Sequence, residues 1–236
     1  MRQLSNFLLL FVSLAFASCQ STDDPLNEAL NSPLPASAKF LALGDSYTKA
    51  EGITPNGRWT TQLSQLLSQE NIEVGEPLVI AESGWTTADL LKRLRSVSIP
   101  NDYGMVTLQI GVNNQFQGRS LDEFKNEFKT LLSISTTLAQ KNPKNVLVLT
   151  IPDWGATPFA AGRNRAQITA QVKAFNDVIK AEAAAKGVAV ADVNDLSLLV
   201  LQSPDMLAPD QLHYSSKMYL QWAQRALPSA KAIVNE

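Results

Sequence analysis

The chain has 236 residues, of which 45% are hydrophobic and 18% charged, and its formal net charge is −2. This length is enough for one large domain with its own core, and the composition excludes collagen-like, coiled-coil and disordered chains. A near-neutral charge without a dense run of Lys or Arg argues against nucleic acid as a partner.

The N-terminus has the layout of an export signal. Arg2 precedes an apolar stretch over 4–17, which is too short to span a bilayer comfortably. The segment Phe16-Ala17-Ser18-Cys19 resembles a bacterial lipobox, in which the cysteine is acylated and becomes the new N-terminus, although a residue smaller than Phe16 is usual there. We predict a signal peptide over 1–18 and a lipidated Cys19 that anchors an exported bacterial lipoprotein to a membrane. A plain secretory signal with an incidental Cys19 is the alternative.

Residues 19–38 are predicted to be the lipidated cysteine followed by a flexible tether, because 20–38 are polar and contain three prolines. Cys19 is the only cysteine, so no intramolecular disulfide can form. A single folded domain is predicted over 39–236.

Short apolar runs alternate with longer amphipathic stretches throughout this domain. The runs cover 39–44, 78–81, 105–110, 146–151 and 188–193. Helical spacing appears between them, for example in the stripe Leu121, Phe124, Phe128, Leu131 and Leu132, and a last helix is predicted to begin near Ser215. Apolar strands alternating with helices predict an α/β fold, namely a flavodoxin-like three-layer α/β/α sandwich around a five-stranded parallel sheet.

Polar motifs follow the predicted strands at one edge of this sheet. Ligands bind at the carboxyl ends of the strands in such folds. The motifs are Gly44-Asp45-Ser46-Tyr47, Glu82-Ser83-Gly84-Trp85, Gly111-Val112-Asn113-Asn114 and, before the last helix, Asp210-Gln211-Leu212-His213.

His213 is the only histidine of the chain, so any imidazole base must be this residue. A serine hydroxyl such as that of Ser46 needs such a base to become a nucleophile, and Asp210 is placed to orient the ring. The oxyanion formed in acyl transfer needs preorganised donors, and the backbone N–H groups of Ser46 and Gly84 with the side-chain amide of Asn113 would supply three.

These four motifs resemble the blocks of the SGNH, or GDSL, hydrolase family. Gly44-Asp45-Ser46, Gly84, Gly111-Val112-Asn113 and Asp210 with His213 match in order, and the resemblance extends over about 39–232. It implies Ser46 as the nucleophile. Asn114 stands where the family has an acid that helps to order neighbouring loops.

Each motif also has a structural interpretation. Ser46 is suited to capping a helix, Gly84 to a turn with positive φ, Asn113 to capping loop backbone and Asp210 to capping the last helix. In this combination, we predict that all four act in the site, and that Asp45 is structural.

The strand-end loops also carry four aromatic residues, Trp85, Phe116, Trp154 and Phe159. They are candidates for lining an acyl or sugar pocket, or for packing the loops together. Arg163 and Arg165 follow the fourth strand and either meet an anionic substrate or lie in solvent; solvent is the preferred interpretation.

The sequence therefore predicts a serine esterase that hydrolyses acyl esters of lipids, small acyl groups or acetylated carbohydrates through an acyl-enzyme. No cofactor is required, and one histidine with at most one thiol makes a metal site improbable. No Gly-x-Ser-x-Gly motif is present to indicate an ordinary α/β-hydrolase. The alternatives are an acyltransferase on the same site and a non-catalytic lipoprotein that binds a glycan or lipid.

Overall fold

The computed structural model describes residues 39–234, which contain five strands joined by helices. The strands are β1 (Phe40–Gly44), β2 (Leu78–Ala81), β3 (Met105–Gln109), β4 (Val146–Leu149) and β5 (Ala189–Ala191). The α-helices are α1 (Ser46–Lys49), α2 (Trp59–Gln69), α3 (Thr87–Ser96), α4 (Val112–Phe116), α5 (Leu121–Leu138), α6 (Arg165–Lys186) and α7 (Ser216–Val234). Short 3₁₀ turns occupy Pro55–Gly57, Pro143–Asn145, Trp154–Ala156, Pro158–Ala160, Asp195–Leu201 and Pro204–Met206.

All five strands are parallel and lie in the order β2-β1-β3-β4-β5. Every residue of β1, β3 and β4 is buried, as expected of central strands that are covered by helices on both faces. Helix α2 packs against α7, while α3 packs against α5 and α5 against α6. The predicted α/β/α sandwich and its five strands are confirmed.

The register of the sheet brings separate sequence motifs to one edge. Gly44, the last residue of β1, lies between Ala81 of β2 and Gln109 of β3. The chain segments that follow these three strands therefore leave the sheet side by side, and they carry the first three motifs.

One residue departs from the predicted core. Leu121 belongs to the helical stripe of α5 but is 38% exposed, whereas Phe124 and Phe128 are fully buried. Leu121 is the first residue of its helix, so it lies beyond the layer that the rest of the stripe packs against.

No helix within residues 39–234 is both long enough and apolar enough to cross a membrane. The predicted signal peptide, Cys19 and the tether lie outside the described residues.

Candidate active site

Ser46 is the first residue of α1, directly after the turn that ends β1, and only 4% of it is exposed. Gly44 makes this turn possible. A Cβ atom at Gly44 would lie 2.3 Å from Oγ1 of Thr48 and 2.6 Å from the carbonyl oxygen of Gln109. Only glycine therefore allows α1 to begin so close to β3. The N-cap of this helix is Asp45 and not Ser46, so the capping interpretation of Ser46 is wrong.

Asp45 is fully buried, and its Oδ1 accepts a hydrogen bond of 3.0 Å from the backbone N–H of Tyr47. Burial raises the pKa of Asp45 to about 7, although the backbone hydrogen bond acts in the opposite direction. Oδ2 has no hydrogen-bond partner within residues 39–234. The carboxyl group shapes the turn that presents Ser46, which agrees with its predicted structural role.

Asp210 and His213 form a direct pair. Oδ2 of Asp210 lies 2.6 Å from Nδ1 of His213, and Oδ1 accepts the backbone N–H groups of Leu212 and His213 at 3.0 and 2.9 Å. These bonds fall within the loop before α7, so Asp210 does not cap that helix. The contact to Nδ1 leaves Nε2 as the ring nitrogen that can take up a proton.

The ionisation of Asp210 suits this pairing. Burial raises the pKa of Asp210, but the hydrogen bonds from His213 and from two backbone N–H groups outweigh it, and the net pKa lies below the ordinary value. Asp210 is therefore a carboxylate at neutral pH, able to stabilise an imidazolium.

Tyr47 connects the turn that carries Ser46 with His213. It follows Ser46 directly, and its ring centroid lies 5.2 Å from that of His213. Within residues 39–234, the Ser46 hydroxyl makes no hydrogen bond and the His213 ring bonds only through Nδ1. Neither the hydroxyl nor Nε2 is therefore engaged by another group of the described residues.

Gly84 and Asn113 lie side by side on the same rim. Gly84 has φ +81°, within a turn closed by the N–H of Trp85 and the carbonyl of Glu82 at 3.3 Å. Nδ2 of Asn113, in α4, donates to the carbonyl oxygen of Trp85 at 3.0 Å. A side-chain amide has two N–H donors, so one donor of Asn113 holds the Gly84 turn and the other remains available.

Asn114 joins the same turn to helix α3. Its Oδ1 accepts the N–H of Thr87 at 2.9 Å, and its Nδ2 donates to the Thr87 hydroxyl at 2.7 Å. The hydroxyl of Thr87 in turn donates to Glu127. The amide thus fixes the first residue of α3, whereas the resemblance ascribes the ordering of neighbouring loops to an acid at this position.

Three of the four predicted aromatic residues form one cluster. The Phe116 ring contacts Trp154 at 5.3 Å and Phe159 at 6.3 Å, and Trp154 lies 6.1 Å from Phe159. Trp154 is buried, whereas Phe116 and Phe159 are 45% and 40% exposed. Trp85 packs against the core and has no ring contact with the other three within residues 39–234.

Together, the rim offers a hydroxyl, an imidazole paired with a carboxylate, and N–H donors on neighbouring turns. This combination suits acyl transfer. Among residues 39–234, no group of three or more His, Cys, Asp or Glu side chains could hold a metal ion.

The sequence over residues 42–220 matches the model of the GDSL-like lipase/acylhydrolase family. The chain belongs to this family. It is an ester hydrolase of the SGNH type, and the matched range contains all four motifs. No functionally curated protein is similar enough in sequence to match it.

Solved structures share the fold of this GDSL-like hydrolase. TesA is 19% identical, with a TM-score of 0.63 over 83% of this chain and 99% of its own. The psychrotrophic esterase EstA from Pseudoalteromonas sp. is 17% identical, with a TM-score of 0.64 over 85% and 100%. Axe2, an acetylxylan esterase from Geobacillus stearothermophilus, is 19% identical, with a TM-score of 0.64 over 82% and 94%.

The sequence interpretation missed two contacts in this GDSL-like hydrolase. The first is the packing of Tyr47 on His213, for which the only sequence signal is that a large ring follows Ser46 directly. The second contact is that of Arg163, whose guanidinium lies over the aromatic cluster at 5.2 Å from the centroid of Phe116. Arg163 is nevertheless exposed, as the sequence interpretation favoured.

Proposed function

We propose that the protein is a serine esterase that cleaves acyl esters at Ser46, with His213 as the general base and Asp210 as the residue that orients it. The observation that carries this proposal is the 2.6 Å contact between Asp210 and His213, with the imidazole packed on the residue next to Ser46. An imidazole held by a carboxylate beside a serine is the arrangement that converts a weak hydroxyl into a nucleophile.

The proposed reaction begins when Oγ of Ser46 attacks the ester carbonyl carbon and Nε2 of His213 takes the hydroxyl proton. The tetrahedral intermediate collapses, the C–O bond to the alcohol breaks, and His213 returns the proton to the leaving oxygen. Water then attacks the acyl-enzyme with His213 again as base, releasing the acid and regenerating Ser46.

Three donors are proposed to hold the oxyanion. Ser46 starts helix α1, so its N–H has no acceptor within the helix. The Gly84 turn is exposed, and apart from the adjacent residues no atom of the described residues would lie within 4 Å of a Cβ at this glycine, so the turn leaves room for a ligand. The second N–H of Asn113 is the third donor. Loss of one such donor typically raises the barrier by about 2.7–4 kcal/mol.

The aromatic cluster is proposed to contribute to the substrate pocket. The exposed rings of Phe116 and Phe159 present apolar surface on the rim, as sites for acyl groups or sugars do. Trp85 is proposed to contribute through its backbone, which fixes Asn113. The substrate classes that fit are lipid, small acyl and acetylated carbohydrate esters.

We also propose that the enzyme is exported and anchored to a bacterial membrane through an acylated Cys19. The proposal rests on the order of charge, apolar stretch, small residues and cysteine over 1–19. The change Cys19→Ser should move the protein from the membrane to the soluble fraction. Unchanged fractionation would remove the lipid anchor.

The activity is tested with the purified chain and its Ser46→Ala variant on p-nitrophenyl acetate, butyrate and octanoate. We expect hydrolysis by the wild type and a loss of about 10,000-fold or more in the variant, because the nucleophile is removed. If the wild type hydrolyses none of these esters, a binding protein is favoured. If products form only on an acceptor alcohol or sugar, the enzyme is an acyltransferase.

A further inference from the structure

The guanidinium of Arg163 lies over three aromatic rings at once. Its Cζ is 5.2 Å from the centroid of Phe116, 5.4 Å from Trp154 and 5.5 Å from Phe159. A cation over ring faces is attracted to them electrostatically. The rings therefore restrict the position of a long side chain that would otherwise be mobile in solvent.

The hydrogen-bonding capacity of this guanidinium is unused. Within the described part of the chain, the Arg163 side chain makes no salt bridge and no hydrogen bond, and the first turn of the following helix α6 contains no acidic residue. Stacking on rings occupies the faces of a guanidinium and leaves its in-plane N–H groups free. Arg165 differs, because its Nη2 donates to the carbonyl of Thr157 at 3.3 Å.

The aromatic cluster connects Arg163 to both sides of the catalytic rim. Phe116 is the last residue of the short helix α4 that carries Asn113. The backbone N–H of Phe159 donates at 3.4 Å to the carbonyl of Gln211, which lies between Asp210 and His213. Arg163 is therefore held on a platform that borders the oxyanion side and the base side of the site.

A cavity of about 260 Å³ opens beside this platform, and its wall has an unbalanced charge. Among residues 39–234, the lining includes Arg163 and four side-chain amides but no Asp or Glu. One of these amides, Gln115, is held by Gln171 at 2.9 Å and by the indole N–H of Trp154 at 2.6 Å. The wall therefore combines one cation, apolar rings and neutral polar groups, so the complementary ligand carries a negative charge.

We propose that Arg163 forms an anion subsite, which binds a carboxylate or phosphate group on the ester that the enzyme cleaves. Both groups match the fork of N–H donors in a guanidinium, and their bidentate contacts are among the strongest hydrogen bonds in proteins. A side chain already fixed by stacking loses little conformational entropy on binding. The inference rests on the proposed esterase function and adds a substrate class to it, namely esters that carry an anionic group.

Two substrate pairs locate the anion on the acyl or the alcohol part. Mono-p-nitrophenyl glutarate is compared with its methyl ester, and 1-octanoylglycerol 3-phosphate with 1-octanoylglycerol. For at least one pair, the wild type should favour the anionic member, and Arg163→Gln should lower the ratio of the two kcat/KM values by about 10- to 100-fold. The ratio for Arg163→Lys should lie between those of the wild type and Arg163→Gln, since lysine keeps the positive charge but lacks the planar pair of N–H donors.

Arg165→Gln is the matched control. It removes the same charge two residues away. If only general electrostatic attraction favoured the anionic substrate, Arg163→Gln and Arg165→Gln would lower the anionic-to-neutral kcat/KM ratio by the same factor. Equal effects of the two arginine variants, or unchanged ratios in Arg163→Gln for both pairs, would overturn the inference.

A binding measurement separates this inference from the proposed activity. Ser46→Ala protein is titrated calorimetrically with octanoylglycerol phosphate and with octanoylglycerol. Tighter binding of the phosphate, lost in Ser46→Ala/Arg163→Gln, supports the subsite even if no ester is turned over by the wild type. Equal affinities in Ser46→Ala, with turnover of neutral esters by the wild type, leave the esterase intact and reject the anion subsite.

Discussion

The ring of Tyr47 packs against the imidazole of His213, with 5.2 Å between the centroids and 56° between the ring planes. Tyr47 follows Ser46 in the chain, whereas His213 lies on the loop before the last helix. The contact joins the two ends of the fold at one point. Because the contact is made between the two rings, it is compatible with Asp210 at Nδ1 and with a proton donor, such as the Ser46 hydroxyl, at Nε2.

We predict that Tyr47→Ala lowers both stability and activity, whereas Tyr47→Phe preserves both. Tyr47 is buried and also stacks on Trp222 at 6.0 Å, so deleting the ring should cost about 3–5 kcal/mol of unfolding free energy. The hydroxyl is buried without a hydrogen-bond partner in residues 39–234. Its removal should therefore be neutral or stabilising by about 1 kcal/mol.

Urea unfolding and p-nitrophenyl butyrate hydrolysis measure these two quantities. A Tyr47→Phe variant that is as unstable as Tyr47→Ala would show that the hydroxyl, and not the ring, holds the turn.

Asp45 is predicted to make stability depend on pH. Its folded pKa of about 7 exceeds the ordinary value of 3.8, so the folded state keeps a proton that the unfolded state releases. Stability is therefore lost as the pH rises through this interval, by about 4 kcal/mol in total at about 1.4 kcal/mol per pKa unit. Asp45→Asn, whose amide oxygen can still accept the Tyr47 N–H, removes this proton.

The measurement is the free energy of unfolding of both proteins from about pH 4 to about pH 8. Asp45→Asn should become increasingly more stable than the wild type as the pH rises. A difference that stays constant over this range would mean that Asp45 titrates normally.

Gly84→Ala is predicted to impair catalysis beyond its effect on stability. An alanine at φ +81° is strained by about 1–2 kcal/mol even though its Cβ meets no atom within 4 Å. Relief of this strain would shift the backbone N–H that is proposed to hold the oxyanion, lowering kcat/KM by up to about 100-fold.

Gly187→Ala serves as the matched control, because Gly187 has φ +70°, equally open space around its Cβ, and a position at the far end of α6. Gly187→Ala should lower the free energy of unfolding by about as much as Gly84→Ala does, but it should leave kcat/KM unchanged. Equal kcat/KM values for the two variants would exclude Gly84 from the oxyanion site.

Asn114→Asp is predicted to destabilise the protein, and Glu127→Gln is predicted to compensate. The Thr87 hydroxyl has one proton, which it donates to Glu127 while accepting from Asn114. With two carboxylates beside this hydroxyl, one lacks a donor, at a cost of about 1–3 kcal/mol. In the double variant, the amide introduced at position 127 donates to the Thr87 hydroxyl. The hydroxyl then donates its proton to the carboxylate introduced at position 114.

A double-mutant cycle by urea unfolding measures this coupling, which should be favourable by about 1 kcal/mol or more. Additive effects of the two changes would contradict the hydrogen-bond directions assigned to Thr87.

The sheet and the edge that carries the site were predictable because both follow from local patterns. Buried parallel strands are near-continuous apolar runs, as in Phe40–Gly44, and parallel strands bring their carboxyl ends to the same edge. The Asp210–His213 contact was predictable because the two residues are only three positions apart in the chain. These inferences need only periodicity and connectivity.

The remaining contacts depend on how side chains pack in three dimensions. The contact between Tyr47 and His213 joins residues 166 positions apart, and nothing in either local sequence specifies it. Arg163 is exposed, as the sequence interpretation favoured, but its stacking was not predictable. The ring of Phe116, at the end of α4, meets those of Trp154 and Phe159 beneath the guanidinium only in the folded protein. The hydrogen bonds of Asn114 depend on Thr87, the first residue of helix α3, which is 27 positions away in the chain.

The central claim is that Ser46 is activated by His213 and attacks an ester. The most direct measurement treats the wild type and His213→Ala with a p-nitrophenyl alkylphosphonate and locates the adduct by peptide mass spectrometry. We predict one phosphonate per wild-type chain, on Ser46, and labelling slower by at least about 1,000-fold in His213→Ala. Labelling of a different residue, or equal rates in the two proteins, would contradict the account.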